Sequence, residues 1–530
     1  MRAGAGRAGL ACGAALLAAA PAFAQPPQPP QPDVGGDPTA PSQGQARALV
    51  VQPRISVQET LSDNVNLAPT NKQGGLITTI SPGLHLSSQS GHVTGTLDYS
   101  FNGIFYTGVS RSAQIQNQLA ANGRAELVDN ILFVDATAGI SHQTLSSLGT
   151  LSGSSVVGTN QQEVGSASVS PYVRGRLGDI ARVELRDTAN IVETRGSSAG
   201  TTTGNSIGNA VSARLDGLTG GALNWWASGT SQTTRFRSAG FAARSDELLL
   251  GLQWRVDVDF LASLFGGRER SNYLLGPEAD SKTYGATAQW TPNPRTRAEF
   301  DWQHHVYGDA HTLRLDYRLA RSALRVSDVN AVNLGQPQAS GATTTNYDLL
   351  YLEFASIEPD PTRRDALVRA YLQALGVDPN GQVVAAFETL GPTLQRNQQF
   401  ALSLDGLRTT WIVTVSQGRT RTLGNGALPI AGATTAAFGA LRSRGASLTA
   451  SNKLTPTMSA NLSIAIQHNN GTPLGTISAP TTTGLRSITA GWSDHLGPQT
   501  TLTLSARSSQ GSGAGTYTEH ALVAGLVQTF

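Results

Sequence analysis

Residues 517–530 read Tyr-Thr-Glu-His-Ala-Leu-Val-Ala-Gly-Leu-Val-Gln-Thr-Phe, and their two-residue alternation decides the fold. Counted back from the terminus, Phe530, Leu526, Ala524 and Leu522 share one side of an extended strand with Gln528, while Thr529, Val527, Gly525 and Glu519 share the other. The same rhythm recurs far upstream. Ala460, Leu462, Ile464 and Ile466 alternate with Ser459, Asn461, Ser463 and Gln467, and Val93, Leu97, Tyr99, Phe101 and Phe105 alternate with Thr94, Thr96, Asp98, Ser100 and Asn102. Segments of about ten residues with one apolar and one polar face are what a tilted transmembrane strand requires when its polar face lines a lumen. A soluble sandwich alternates too, with its polar face outside, so loop lengths and aromatic placement must separate the two.

A strand ending on an aromatic carboxylate resembles the closing strand of bacterial outer-membrane β-barrels, and the resemblance implies that Phe530 is read by the barrel assembly machinery. Working back from it, connections alternate between short and long. Short ones fall near Gln89–His92, Val128–Asn130, Gly178–Ile180, Gly217–Gly221, Asp257, Thr291–Arg295, Ala320–Ser322, Leu407–Thr409, Thr455–Thr457 and Leu496–Pro498. Longer Gly, Ser and Thr stretches lie between, such as Leu148–Asn160, Thr194–Ser206 and Thr420–Ala437. Outer-membrane barrels have short periplasmic turns and longer outer loops, and counting both sets predicts one large antiparallel transmembrane β-barrel of roughly 22 strands (about 18–24) with both termini periplasmic. Trp225, Trp226, Trp254, Trp290, Trp411 and Trp492 lie near the short connections, as indoles at one membrane interface would.

The first 24 residues have the pattern of a secretory leader: Arg2 and Arg7, an apolar run over Leu10–Ala20, then Ala22-Phe23-Ala24. Cleavage there would leave 36 basic and 36 acidic residues, since the whole chain has 38 and 36 and the leader holds two arginines. Such a balance offers no general basic field for nucleic acid. Cys12 is the single cysteine and lies in the leader, so disulfides, thiolate metal sites and Cys nucleophiles are all excluded from a processed chain. Residues 25–50 form a Pro/Gln-rich linker expected to be disordered, and the barrel is expected over 51–530. Charged residues are only 14% and the 58 Gly far outnumber the 2 Met, which suits strands and polar turns better than helical cores.

One segment, about 332–397, breaks the rhythm. By strand parity it is expected on the outer side, as a lid or constriction over the lumen or a cap on strand ends. Asp360 before Pro361 has the form of a helix start, with Leu367, Tyr371 and Leu375 as an apolar stripe and Gly376 and Pro379 as the stop. A loop of this length is uncommon without a role.

Strand parity also predicts which charges face inward: Arg174, Arg176, Arg182, Glu184, Arg186, Arg255, Asp257, Arg297, Glu299, Asp301, Arg314, Asp316 and Arg318. An Arg facing lipid near the midplane costs roughly 2–4 kcal/mol, so in a membrane barrel these groups belong in a wet lumen. They would select polar or sugar-like solutes, or they would only pair with one another across a filled interior. His304 and His305 point to opposite faces of a strand and cannot form one metal site. Asp63-Asn64 falls far short of a calcium shell. No Gly-x-Ser-x-Gly elbow, phosphate loop or dinucleotide fingerprint occurs, so no catalytic residue, cofactor or metal is expected.

Several short motifs resemble the outer-membrane proteins associated with the PEP-CTERM/exosortase system. They are Pro53 with Val57, Glu59, Thr60, Asp63, Asn64, Val65 and Leu67; Ile77, Ile80, Ser81, Pro82 and Gly83; Pro292 to Thr296; and the insertion around Asp360 to Gly376. Leu61 stands in place of an aromatic, and His304-His305 in place of an Arg. The resemblance implies a barrel in the outer membrane with exopolysaccharide or its export components as partners, and it supplies no catalytic residues. The expected function is therefore a monomeric, porin-like conduit in exopolysaccharide export. The alternatives are a non-conducting scaffold or adhesion barrel, and a barrel-embedded lipid or glycan hydrolase.

Overall fold

The computed structural model describes residues 49–530 except 145, 147, 153–159, 196–204, 238–239, 275, 335–343, 356–357, 360–363, 366, 370, 373–390, 424–437, 474–481, 498 and 514. The leader and most of the linker lie outside the described residues.

Alternation dictates the architecture directly. The strands are β1 (Leu49–Ser62), β2 (Gly75–Gln89), β3 (Val93–Thr107), β4 (Gln114–Val128), β5 (Leu132–Thr144), β6 (Gln161–Leu177), β7 (Ala181–Arg195), β8 (Ser206–Gly217), β9 (Leu223–Phe236), β10 (Phe241–Asp257) and β11 (Phe260–Ser271). They continue as β12 (Ala279–Asn293), β13 (Thr296–His305), β14 (Gly308–Leu319), β15 (Ser322–Asn333), β16 (Thr393–Asp405), β17 (Thr409–Thr422), β18 (Phe438–Lys453), β19 (Met458–Pro473), β20 (Thr482–Gly497), β21 (Thr500–Ser512) and β22 (Tyr517–Thr529). Each pairs antiparallel with the next, and β22 returns to β1 from Arg54↔Thr529 to Ser62↔Ala521, closing a 22-stranded barrel. Closure removes the sheet edges that would otherwise template aggregation. The terminal Phe530 amide donates to the Pro53 carbonyl at 2.9 Å, which ties the last residue to the seam.

All ten short connections fall where the sequence places them, at one end of the barrel. Alternate residues then divide cleanly between the two faces. Leu250 is 63% and Leu264 70% exposed on the outer face, beside Leu252, Leu522 and Leu526. An apolar belt that stays open on a closed sheet rules out two stacked sheets with their greasy faces together. Trp254, Trp290 and Trp411 stand outward on this belt at the short-turn end, as their parity requires. Trp226 departs from them. It points inward, its indole Nε1 donates to Ser263 Oγ at 2.8 Å, and its ring lies flat over Gly251 on the next strand, where any Cβ would collide with it.

The insertion bears on the lid, constriction and cap expected for it. It leaves from Asn333 and returns at Thr393, which are paired at the long-loop end. Its described residues pack on the inward side of the barrel wall, within the lumen, as a constriction would. Helix α1 (Asn346–Phe354) starts at a capping box, in which Thr345 Oγ1 accepts from the Asp348 amide while the Asp348 carboxylate accepts from the Thr345 amide. Leu349, Leu350 and Phe354 pack with Val368 and Leu372 against Ala323, Ala401 and Ile412 of β15, β16 and β17. Ala323 and Ile412 lie close to the short turns, so the segment reaches the half of the barrel opposite its point of entry. The reason is chemical: Ala323, Ala401 and Ile412 are small or apolar residues facing inward, and the insertion supplies the matching side chains. Arg364, Asp365, Leu367, Val368, Arg369, Tyr371 and Leu372 are helical. The buried stripe is Val368 and Leu372 with Tyr371 alongside, and Leu367 faces away at 39% exposure. The Asp360-Pro361 start and the Leu375, Gly376 and Pro379 positions lie outside the described residues.

Candidate functional site: the lumen

Two walls of the lumen differ in what covers them. On β4–β8 the inward positions near the short-turn end carry a continuous charge ladder. Arg124 Nε meets Asp135 Oδ1 at 2.7 Å, and Arg186 Nη1 reaches Asp135 Oδ2 at 3.1 Å. Arg186 Nε donates to Glu184 Oε1 at 3.2 Å, and Arg174 Nε donates to Glu184 Oε2 at 2.8 Å. The Tyr172 ring supports this ladder from below. Phe133 stacks on it at 5.1 Å, the Arg186 guanidinium lies 3.8 Å from its centroid and that of Arg174 5.0 Å. Cation–π contact and bidentate pairing together hold the guanidinium planes in fixed orientations. Arg214 continues the row, 3.0 Å from Asp216 and stacked 4.8 Å from Trp226. Arg124 remains 54% exposed and Arg174 50%, so this wall is wet.

A second ladder occupies β13–β15. Arg297 Nε donates to Glu299 at 2.6 Å, and Arg325 grips Asp316 with Nε at 2.6 Å and Nη2 at 3.0 Å. Cross-strand register sets Arg297 opposite Asp316 and Glu299 opposite Arg314, while Asp301 faces Thr312. Arg176 and Arg182 oppose each other across β6 and β7 on the inward side. Among the described residues Arg176, Arg182, Arg255 and Arg318 form no ion pair, and the Arg318 Nε is buried without a hydrogen-bond partner. Asp257 is set apart from the ladder: its carboxylate accepts from the Val258 amide at 2.7 Å and caps a short turn.

The insertion roofs the wall of β14–β17. Tyr371 Oη donates to Asp405 Oδ1 at 2.7 Å and lies 2.6 Å from Thr410 Oγ1, with the Lys453 ammonium 4.7 Å from its ring. Ser403 Oγ donates to the Glu353 carboxylate, and the Thr344 amide donates to Gln399 at 2.6 Å. Burial, with help from the Asp405 carboxylate, raises the Glu353 pKa above its ordinary value against the opposing effects of Ser403 and Arg321. The segment also spans the barrel. Arg369 reaches Asp98 of β3 at 3.3 Å while holding Asp365 at 2.9 Å, and Asp98 is braced by His85 at 2.9 Å. Counted round the barrel through β22 and β1, β3 lies nine strands from β16, almost diametrically opposite.

A third inward cluster escaped the sequence reading. Glu247 and Glu269 face each other across β10 and β11, and His305 Nδ1 lies 2.9 Å from Glu269 Oε2. Ligand atoms of the three lie within 4.8 Å of one another and could approach a metal ion. Three ligands fall short of a closed tetrahedral site, and each group already has protein partners: Gln303 donates to Glu247, and the Val306 amide donates to Glu269 at 3.3 Å. The arrangement is that of an internally satisfied polar cluster. Inward parity of His305 was the signal available for it. His304 points outward and pairs with Asp309 at 2.7 Å, so the two histidines part as expected.

No known family pattern matches the chain, and no curated protein is similar to it. Solved structures are similar in overall barrel fold. The siderophore receptor PirA from Pseudomonas aeruginosa aligns at a TM-score of 0.37 and 8% identity over 91% of this chain and 80% of that one. The FrpB iron transporter from Neisseria meningitidis aligns at 0.37 and 10% over 90% and 82%. The ferric-catecholate import receptor Fiu from Escherichia coli K12 aligns at 0.43 and 8% over 90% and 81%.

Proposed function

We propose that the chain is an integral outer-membrane barrel that acts as a restricted conduit for polar, sugar-like solutes, with its short turns periplasmic and its long loops outside. The open apolar belt supports the membrane placement, since leaving such a surface in water is unfavourable and a bilayer covers it. The observation that carries the conduit is the lopsided lumen. The insertion packs on β14–β17 and crosses to β3, while the β4–β8 wall keeps half-exposed arginines. Barrels of about 22 strands enclose a wide lumen that other proteins plug, and a segment of this size narrows such a space along one side. The exposed Arg/carboxylate ladder offers fixed, alternating charge and donor rows that suit hydroxyl-rich or acidic sugars. A link to exopolysaccharide export rests on the motif resemblance, and no catalytic, metal or cofactor role is proposed.

A second reading is a closed scaffold. It is favoured by the near-complete burial of Leu349, Leu350, Val368 and Leu372, which marks the insertion as fixed core rather than loose lid. Proteoliposome swelling with neutral and acidic oligosaccharides of rising size separates the two. The conduit predicts uptake that falls with size and rises when residues 344–390 are removed. Absence of uptake by both forms of the protein would remove the conduit and leave the scaffold.

A further inference from the structure

The outer face of β16–β19 carries a charge pattern that the conduit does not use. Register lays its outward residues in rows. Phe400, Val415, Ala446 and Ile466 form an apolar row; two residues nearer the long loops come Gln398, Gln417, Arg444 and His468; two further still come Arg396, Arg419 and Arg442. Three arginines thus stand directly opposite one another on three successive strands, an arrangement that like-charge repulsion disfavours. Arg396 is balanced by Asp328 at 2.9 Å. Arg442 and Arg444 both donate to the single Gln417 Oε1, at 2.7 and 3.2 Å. Among the described residues Arg419, Arg442 and Arg444 have no carboxylate within 4.0 Å. Some charges elsewhere on the same rim are neutralised, as where Arg270 meets Glu278 at 2.7 Å and Arg237 meets Glu193 at 3.8 Å.

Depth identifies the missing anion. Four residues along a strand cover about 13 Å, which for strands tilted by about 40° is roughly 10 Å along the barrel axis. The arginine row therefore sits just above the apolar belt, at the level of lipid headgroups. Resting on the membrane placement above, we propose that Arg419, Arg442 and Arg444 form a binding surface for the phosphate groups of a phosphorylated lipid in the surrounding outer leaflet. Planar guanidinium forks suit phosphate oxygens, and three adjacent ones match a headgroup that bears more than one phosphate.

The full chain in phosphatidylcholine nanodiscs doped with lipid A carrying two phosphates tests this, with retained lipid counted by native mass spectrometry after stepwise delipidation. Wild type should retain the phosphorylated lipid. Retention should fall by about tenfold or more both for the combined Arg419→Gln, Arg442→Gln and Arg444→Gln variant and for wild type offered dephosphorylated lipid A. The Arg237→Gln, Arg270→Gln variant, elsewhere on the same rim where each arginine already meets a carboxylate, should behave as wild type. Equal retention of phosphorylated and dephosphorylated lipid, or wild-type retention by the triple variant, overturns the proposal while leaving the membrane barrel intact. Failure of the chain to enter the discs at all removes the membrane placement and this surface with it.

Discussion

The β4–β8 and β14–β17 walls of the lumen grow from the same alternating sequence, yet one is a wet charge ladder and the other a packed core. The difference lies in what the inward positions offer. Tyr172, Arg174, Glu184 and Arg186 are long and polar, and they satisfy one another across neighbouring strands. Ala323, Ala401 and Ile412 are small or apolar, and they are satisfied only when Leu350, Phe354, Val368 and Leu372 descend onto them. A polar lumen face thus dictates a conduit only where nothing from elsewhere in the chain can bury it.

Removing the cover should have the largest effect. Replacing residues 344–390 by a short Gly/Ser link near the Asn333 and Thr393 pair is expected to raise single-channel conductance by about twofold or more, because a wide barrel would lose its internal obstruction. An unchanged conductance would mean that the segment does not limit the path, and the two walls would then be functionally alike.

Next comes the packing that holds the cover. Leu350 and Leu372 are fully buried, and trimming either to Ala should weaken docking by roughly 2–5 kcal/mol. Limited proteolysis should then cut the insertion while the strands stay protected. Equal resistance in both variants would show that the core cluster does not pin the segment.

On the open wall the effect is smaller and concerns selectivity. The combined Arg174→Gln and Arg186→Gln variant removes one half-exposed and one more buried positive group and leaves Glu184 and Asp135 without them, so reversal potentials in a salt gradient should move toward cations, by about twofold to threefold in permeability ratio. The same change at Arg396, outside the barrel, should leave the ratio alone.

The smallest effect is a pH dependence of docking. Because the Glu353 pKa is raised on folding, the docked segment holds the proton more tightly than the free one. Its contribution is full below the ordinary carboxylate pKa of about 4.3 and is lost as pH climbs through the raised value. Protease sensitivity of the insertion should therefore increase with pH across that window in wild type, and much less in Glu353→Gln. A slope of the opposite sign would show that the burial of Glu353 does not govern its titration.

The period of two carries most of the fold. It places Leu250 outside and Arg174 inside without any knowledge of partners, and the short turns mark the strand ends because Gly, Asn and Pro interrupt it. The path of the insertion was not legible in the same way. Parity locates its two ends at the long loops and is silent on the interior, which depends on small inward residues such as Ala323 and Ala401 that look unremarkable in a strand. Its helix start is legible in the sequence: Thr345 with Asp348 has capping-box spacing, ahead of the Asp360-Pro361 pair. The outward arginine row escaped for another reason. Arg396, Arg419 and Arg442 are distant in sequence, and only register brings them into line.

Thiol labelling tests the central claim most directly, since Cys12 is the chain's single cysteine and lies within the expected leader. Three single-cysteine proteins are needed in proteoliposomes: Asn122→Cys on the exposed inner wall of β4, Ala401→Cys beneath the insertion and Leu250→Cys on the outer belt. A charged, membrane-impermeant reagent should label Asn122→Cys and reduce its current, and spare the other two, with Ala401→Cys becoming reactive once residues 344–390 are removed. Labelling of Leu250→Cys in the bilayer, or equal labelling of Asn122→Cys and Ala401→Cys in the full chain, would contradict a lipid-facing belt around a half-covered aqueous lumen.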